Sequence, residues 1–242
     1  MEGKDIHPTA IVSKEARIAD GVRIGPYCII GPDVQIGTGT QLFGHVVIDG
    51  NVQIGERNTI YYGTCMGMPA QDKKIKNPRS FVKVGNDNLI RENVTINAGG
   101  SEGSSTVIGD RNFIMIDCHI GHDCQIGSDV TMANGVGLSG HVVVEDQAVL
   151  GGLVGVHQFN RIGKLAMVGG ASKVILDIPP FSLCDGYPVR FYGLNLVGLK
   201  RAGYSLREVA PIKEALKTLC VRKAPLQTSL DRLKEQMNGN KD

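Results

Sequence analysis

The chain has 242 residues, room for one large domain or two small ones, and its 26 Lys and Arg nearly balance 24 Asp and Glu at a net charge of +2. With no Trp and only 5% aromatic residues, it lacks both the basic field and the stacking rings of a nucleic-acid binder. No apolar run reaches 18 residues and no charged-then-apolar leader opens the chain, so the expectation is a cytoplasmic protein with no transmembrane segment.

The dominant pattern starts at Ile6 and ends at Val174. Of the 29 positions that are multiples of six over that span, 26 carry Ile, Val, Leu or Met; the exceptions are Asp72, Pro78 and Glu102. A period of six is neither that of an amphipathic helix nor that of a simple alternating strand. It predicts a parallel β-helix of hexapeptide repeats over residues 1–178, three hexads to an 18-residue coil, with the aliphatics stacked inward. The spacing does not give the hand of the coil. Coil stacking at ordinary strand distance then makes a prism on the order of 40 Å long. Cys28, Cys118 and Cys124 share one phase, four residues after a multiple of six, with Val and Ala at equivalent places. That phase predicts small buried thiols rather than disulfides or metal ligands.

Two stretches, 67–83 and 97–107, lose the beat yet re-enter in phase, and are expected to be loops leaving the prism. The first is rich in charge, with Asp72, Lys73, Lys74, Lys76 and Arg79. After Ile178-Pro179-Pro180 the period becomes helical: Val209, Ile212, Leu216 and Leu219 form one stripe, and Leu226, Leu230, Leu233 and Met237 another. Ser205 and Glu208 have the spacing of a capping box. Residues 179–242 thus read as a small helical cap on the end of the prism.

Four of the six histidines, His119, His122, His141 and His157, fall in 39 residues. Folded onto 18-residue coils, His122, His141 and His157 occupy neighbouring columns on successive turns, and Asp123 lies one turn from His141. A polar ladder at the corners, a zinc site, and a general base at His122 oriented by Asp123 all fit this placement. Metal-dependent hydratases of this architecture, such as γ-class carbonic anhydrases, space two zinc histidines five residues apart; no pair here has that spacing.

The segments His119-Ile120-Gly121-His122-Asp123-Cys124, Leu138-Ser139-Gly140-His141 and Val156-His157-Gln158-Phe159 closely resemble the acyl-ACP:UDP-N-acetylglucosamine O-acyltransferases. So do Gln71-Asp72, Ile90 to Ile96, Met167 to Gly170, Asn195, and Gly198 to Arg201, at matching spacing over nearly the whole chain. The resemblance implies a left-handed β-helix, a homotrimer, and transfer of a 3-hydroxyacyl chain from acyl carrier protein to the sugar 3-hydroxyl, the first step of lipid A synthesis. It implies His122 as the base, Asp123 as its partner, and the Gly140 N–H as oxyanion donor. Asp72, Lys74, His119, His141 and Gln158 match positions lining the sugar or acyl group. His157 and Arg201 match positions near the nucleotide phosphates, Asn195 a nucleotide contact, and Gly170 a position that limits the acyl pocket. No metal or organic cofactor is implied, because the thioester already carries an activated acyl group.

The chain departs from the family where Val197 and Ala202 replace an acidic residue and a second Arg, where Asn97-Ala98 replaces His-Arg, and in its shorter helical tail. These departures bear on the sugar nucleotide, so an acyltransferase of another UDP-sugar, such as the 3-amino analogue that would give an amide, stands as the alternative. Behind it stands a metal-dependent hydratase or scaffold. The hexads begin at Ile6, so a separate N-terminal uridine-binding domain is not expected. Because acyl carrier protein is acidic, a basic rim is expected from Lys73, Lys74, Lys76, Arg79, Arg161 and Lys173.

Overall fold

The computed structural model describes residues 3–76, 78–220 and 225–239. Short strands occur once per hexad, and each pairs in parallel with the strand one coil further on: Asp5 with Arg23, Ile11 with Ile29, Arg17 with Gln35. The strands assemble into sheets of eleven, nine and eight members, the three sides of a left-handed β-helix. Its axis is filled by the six-residue aliphatic column; Ile48, Ile60, Ile90, Ile114, Ile120 and Leu138 are fully buried. One coil cannot bury its own apolar side, so stability comes from stacking on its neighbours.

Corners obey a second column. The third residue of many hexads is left-handed, at φ of 57° to 72° for Gly21, Gly39, Gly63, Asp87, Asn93, Asp117, Asp123 and Asp129. Gly, Asn and Asp adopt that conformation at least cost. A third column, the fourth residue of each hexad, points inward and often carries a donor. Asn58, Asn88 and Asn112 donate from Nδ2 to the carbonyls of Gly85, Gly109 and Gly127, each at 2.9 Å. Thr40 does the same to Gly55 at 2.9 Å, and Thr64 to Arg91 at 3.0 Å. Cys28, Cys118 and Cys124 sit in this column, fully buried, and their thiols donate to Phe43, Ala133 and Ser139 at 2.8, 3.1 and 3.1 Å. They are hydrogen-bond donors as well as compact apolar filling.

The strand register crosses the first loop from Thr59 to Leu89 and the second from Leu89 to Phe113, so each loop adds whole hexads and the inward column survives. Beyond Val174 the coil ends in a hairpin: Ser182–Asp185 pairs in parallel with the preceding coil but antiparallel with Arg190–Leu194. Among the described residues three helices follow, α1 (Leu196–Arg201), α2 (Leu206–Cys220) and α3 (Leu226–Gly239). Ser205 and Glu208 reciprocate at the start of α2, Ser205 N–H donating to Glu208 Oε2 at 2.8 Å and Glu208 N–H to Ser205 Oγ at 3.4 Å. In the expected stripes Leu216 is buried and Leu230 is 36% exposed, while the side chains of Leu226 and Met237 lie outside the described residues.

The asparagine ladder gives a test of the packing. Asn88 Oδ1 accepts from the Asn112 N–H at 2.9 Å while its Nδ2 serves Asn58 and Gly109. Asn88→Ala leaves a buried N–H and a corner carbonyl unpaired, at about 1–3 kcal/mol for each such group. Urea unfolding at fixed protein concentration should show a loss of about 2–6 kcal/mol, and a loss below about 0.5 kcal/mol would show that the ladder adds nothing to stability.

Candidate active site

A cavity of about 840 Å³ runs along the outside of the nine-stranded sheet. Its wall comes from successive coils: His119, Gly121 and His122 on one, Gly137 to Gly140 on the next, Gly155 to Gln158 on a third. Gln71, Asp72, Lys73 and Lys74 of the first loop close one side, and Lys173 and Tyr187 lie at the far end. Along the strand column His119–Gly137–Gly155–Lys173 the two glycines are in ordinary conformation, and an added Cβ at either would meet nothing within 4 Å. Their missing side chains keep the cavity wall smooth.

Asp123 takes the left-handed corner at φ 59°, one residue after His122, and the two side chains meet there. His122 donates from Nδ1 to Asp123 Oδ2 at 2.8 Å, which leaves Nε2 as the free, basic nitrogen of the neutral ring. Both side chains are only 11% exposed. The Gly100 N–H of the second loop also donates to Asp123 Oδ2 at 2.8 Å. A Cβ on Gly100 would press on Ile75 of the first loop and on the His122–Asp123 pair, all within 2.9 Å, so both loops converge here. Burial works to raise the Asp123 carboxyl, but donation from His122, Ser104 and Gly100 together outweighs it and holds the acid below its usual range.

One coil on, His141 also takes a left-handed corner, at φ 62°. Its Nε2 lies 3.7 Å from Asp123 Oδ2, its ring is edge-on to His122 at 4.9 Å, and Phe159 stacks on its other face at 4.6 Å. His119 faces outward from the strand and bonds the Thr95 hydroxyl through Nδ1 at 2.8 Å; burial pushes its imidazole below the usual range. Gly140 packs under the His122 ring, where a side chain would collide with the imidazole, and its N–H has no acceptor among the described residues. His122, Asp123 and His141 also offer three metal-type donor atoms within 4.8 Å of one another. Two of those three residues, however, are already joined by the His122–Asp123 hydrogen bond.

Of the residues singled out in the sequence, Asp72, Lys74, His119, His122, Gly140, His157 and Gln158 line this one cavity; Asp123 and His141 do not line it but touch His122, which does. Asn195, Arg201 and Gly170 do not line it. Asn195 is buried as the N-cap of α1: Oδ1 accepts from the Gly198 N–H and Nδ2 donates to the Leu165 carbonyl, both at 2.9 Å. A Cβ on Gly170 would reach the Gly152 carbonyl at 3.3 Å, tight but not forbidding. Of the basic residues, Lys73, Lys74 and Lys173 reach the cavity, whereas Arg161 is tied to Glu145 at 2.7 Å. Sequence reasoning gave no site role to Thr95, Gly100 or Tyr187. Thr95 lies 24 residues before His119, one coil plus one inserted hexad, so counting by 18 overlooks the pairing.

Known proteins place this geometry. Residues 177–242 match the family model described as Udp N-acetylglucosamine O-acyltransferase, domain 2, and residues 105–140 match that of the bacterial transferase hexapeptide. An acyl-(acyl-carrier-protein)–UDP-N-acetylglucosamine O-acyltransferase of Myxococcus xanthus is 44% identical over 98% of this chain and 92% of its own. One from a Synechocystis strain is 45% identical over 73% of this chain, which spans 64% of that relative's length. The solved structure of LpxA from Acinetobacter baumannii superposes with a TM-score of 0.92 at 38% identity, covering 97% of this chain and 92% of the other. These likenesses extend over nearly the whole chain, and the chain belongs to the acyl-(acyl-carrier-protein)–UDP-N-acetylglucosamine O-acyltransferase family.

Proposed function

We propose that the chain transfers a 3-hydroxyacyl group from acyl carrier protein to the 3-hydroxyl of UDP-N-acetylglucosamine, in the cytoplasm and as a homotrimer, in lipid A synthesis. The observation that carries this reading is the meeting, on one cavity wall, of a carboxylate-oriented imidazole and a backbone N–H with no acceptor among the described residues. A sugar hydroxyl is a poor nucleophile at neutral pH. His122 Nε2 takes its proton as the oxygen attacks the thioester carbonyl, and Asp123 stabilises the imidazolium that results. The carbonyl oxygen becomes an oxyanion, to which the Gly140 N–H donates. Collapse breaks the carbon–sulfur bond, and the departing thiolate recovers the proton from His122.

The remaining roles follow the family resemblance. Asp72, Lys74, His119, His141 and Gln158 position the sugar and acyl groups, and His157 lies toward the nucleotide phosphates. Arg201 and Asn195 belong to the nucleotide end by family resemblance, with Asn195 acting through the α1 cap it makes. Gly170 leaves room for the acyl chain. Lys73, Lys74 and Lys173 supply positive charge at the mouth, suited to an acidic carrier protein. Leu153, Ile175 and Tyr187, exposed at the cavity edge, give a neighbouring subunit apolar surface to cover.

The deciding experiment is an acyl-transfer assay with acyl-ACP and either UDP-N-acetylglucosamine or its 3-amino analogue. Product with the hydroxyl sugar is expected; product only with the amine would assign the amide-forming alternative. His122→Ala should lower turnover by about 10²–10⁴-fold in a protein that stays folded, and near-normal turnover in that variant would end its role as the base. Chelator treatment should leave the rate unchanged. Loss of activity restored by zinc would instead make His122, Asp123 and His141 metal ligands.

Asp123 also predicts a pH effect. Its carboxyl titrates lower in the folded protein than in the unfolded chain, so its contribution to stability is present above the unfolded value near 4 and is lost as pH falls through the folded one. The stability difference between the parent protein and Asp123→Asn should therefore be level from about pH 6 to 8 and shrink below about pH 4. A difference that grows on acidification would contradict the depressed carboxyl.

A further inference from the structure

The reading above makes the Gly140 N–H the oxyanion donor, and an amide can serve that way only if its peptide plane is fixed beforehand. In a trans peptide the N–H and C=O point in opposite directions, so whatever holds the Ser139 carbonyl also aims the Gly140 N–H. That carbonyl accepts from the Cys124 thiol at 3.1 Å. Cys124 is fully buried, inside the coil, while Ser139 and Gly140 line the cavity outside. From the previous coil Gly121 packs on the same peptide, its added Cβ lying 2.9 Å from both the Ser139 carbonyl carbon and the Gly140 nitrogen. We propose that Cys124 is a positioning residue for acyl transfer, its S–H holding the Ser139–Gly140 peptide with the N–H turned toward the substrate.

The inference rests on the reading of Gly140 as oxyanion donor. Burial pushes the Cys124 thiol up to about 12, so it keeps its proton, and its donor capacity, throughout the neutral range. The chain supplies its own comparisons. Thr40 and Thr64 occupy the same column and donate to corner carbonyls in the same way, so the site geometry suits a hydroxyl. Val130, Val136 and Val142 fill that column with no donor and are fully buried, so the packing suits an apolar side chain. Threonine and valine have nearly the same shape and differ in the donor. They separate orientation from packing.

The test compares Cys124→Thr with Cys124→Val in the full-length protein, with Cys118→Val as the control for a thiol donor away from the cavity, on the Ala133 carbonyl. Cys124→Val should lower kcat about tenfold with KM changed less than twofold, whereas Cys124→Thr and Cys118→Val should stay within about twofold of the parent protein. Equal losses in the Thr and Val variants at position 124 would make packing the cause and overturn the proposal, as would parental kcat in Cys124→Val. The backbone amide resonance of Gly140, followed by ¹⁵N NMR, gives a readout that needs no turnover. It should move in Cys124→Val and stay in place in Cys124→Thr, and an unmoved resonance in Cys124→Val overturns the orienting role. If the parent protein transfers no acyl group, the proposed function fails while the resonance still decides the part played by Cys124.

Discussion

Everything in this molecule hangs on backbone pairing between coils, with an aliphatic residue stacked on its equivalent one turn away. Fixing that pair fixes the register, and the register assigns every other residue a direction: inward, into a corner, or out along a strand. The catalytic groups proposed here have no hinge or domain interface to set their spacing. His122 and Gly140 are adjacent because their coils are, and His141 and Phe159 extend the same stack. A site built this way is preorganised by the fold itself, which is what general-base and oxyanion chemistry require.

The two inserted loops act on this rigid wall. Both return to the column after whole hexads, so they add material at the site without disturbing the prism. The second donates a backbone N–H to Asp123, and the first brings Ile75 against the same spot. Through that clasp the carboxylate is at once desolvated and well bonded, so it stays ionised next to the imidazole it orients.

Much of this was legible in the residues. The inward column gave the β-helix because an aliphatic every six residues has few other uses, and the 18-residue count put Asp123 beside His141. The fourth column was half legible: periodicity sent Cys28, Cys118 and Cys124 inside, but only coordinates show which carbonyl each thiol meets. Thr95 was hidden because an inserted hexad breaks the count between it and His119. Asn195 illustrates the opposite difficulty. Resemblance assigns it a ligand, while the local chain gives it a helix to cap and a carbonyl to hold, demands that no spacing argument weighs.

A parallel coil has no intrinsic reason to stop, because its last turn offers a complete row of backbone donors and acceptors to whatever chain comes next. Here one side turns back on itself: at the end of the eleven-stranded sheet Arg190–Leu194 runs antiparallel to Ser182–Asp185 and uses that side's share of the row within the same chain. The reversal gives the two ends different characters, since the opening coil, with Ile11 67% exposed, still presents a parallel edge. On the eleven-stranded side, a strand added at one end would therefore meet a parallel edge and at the other an antiparallel one.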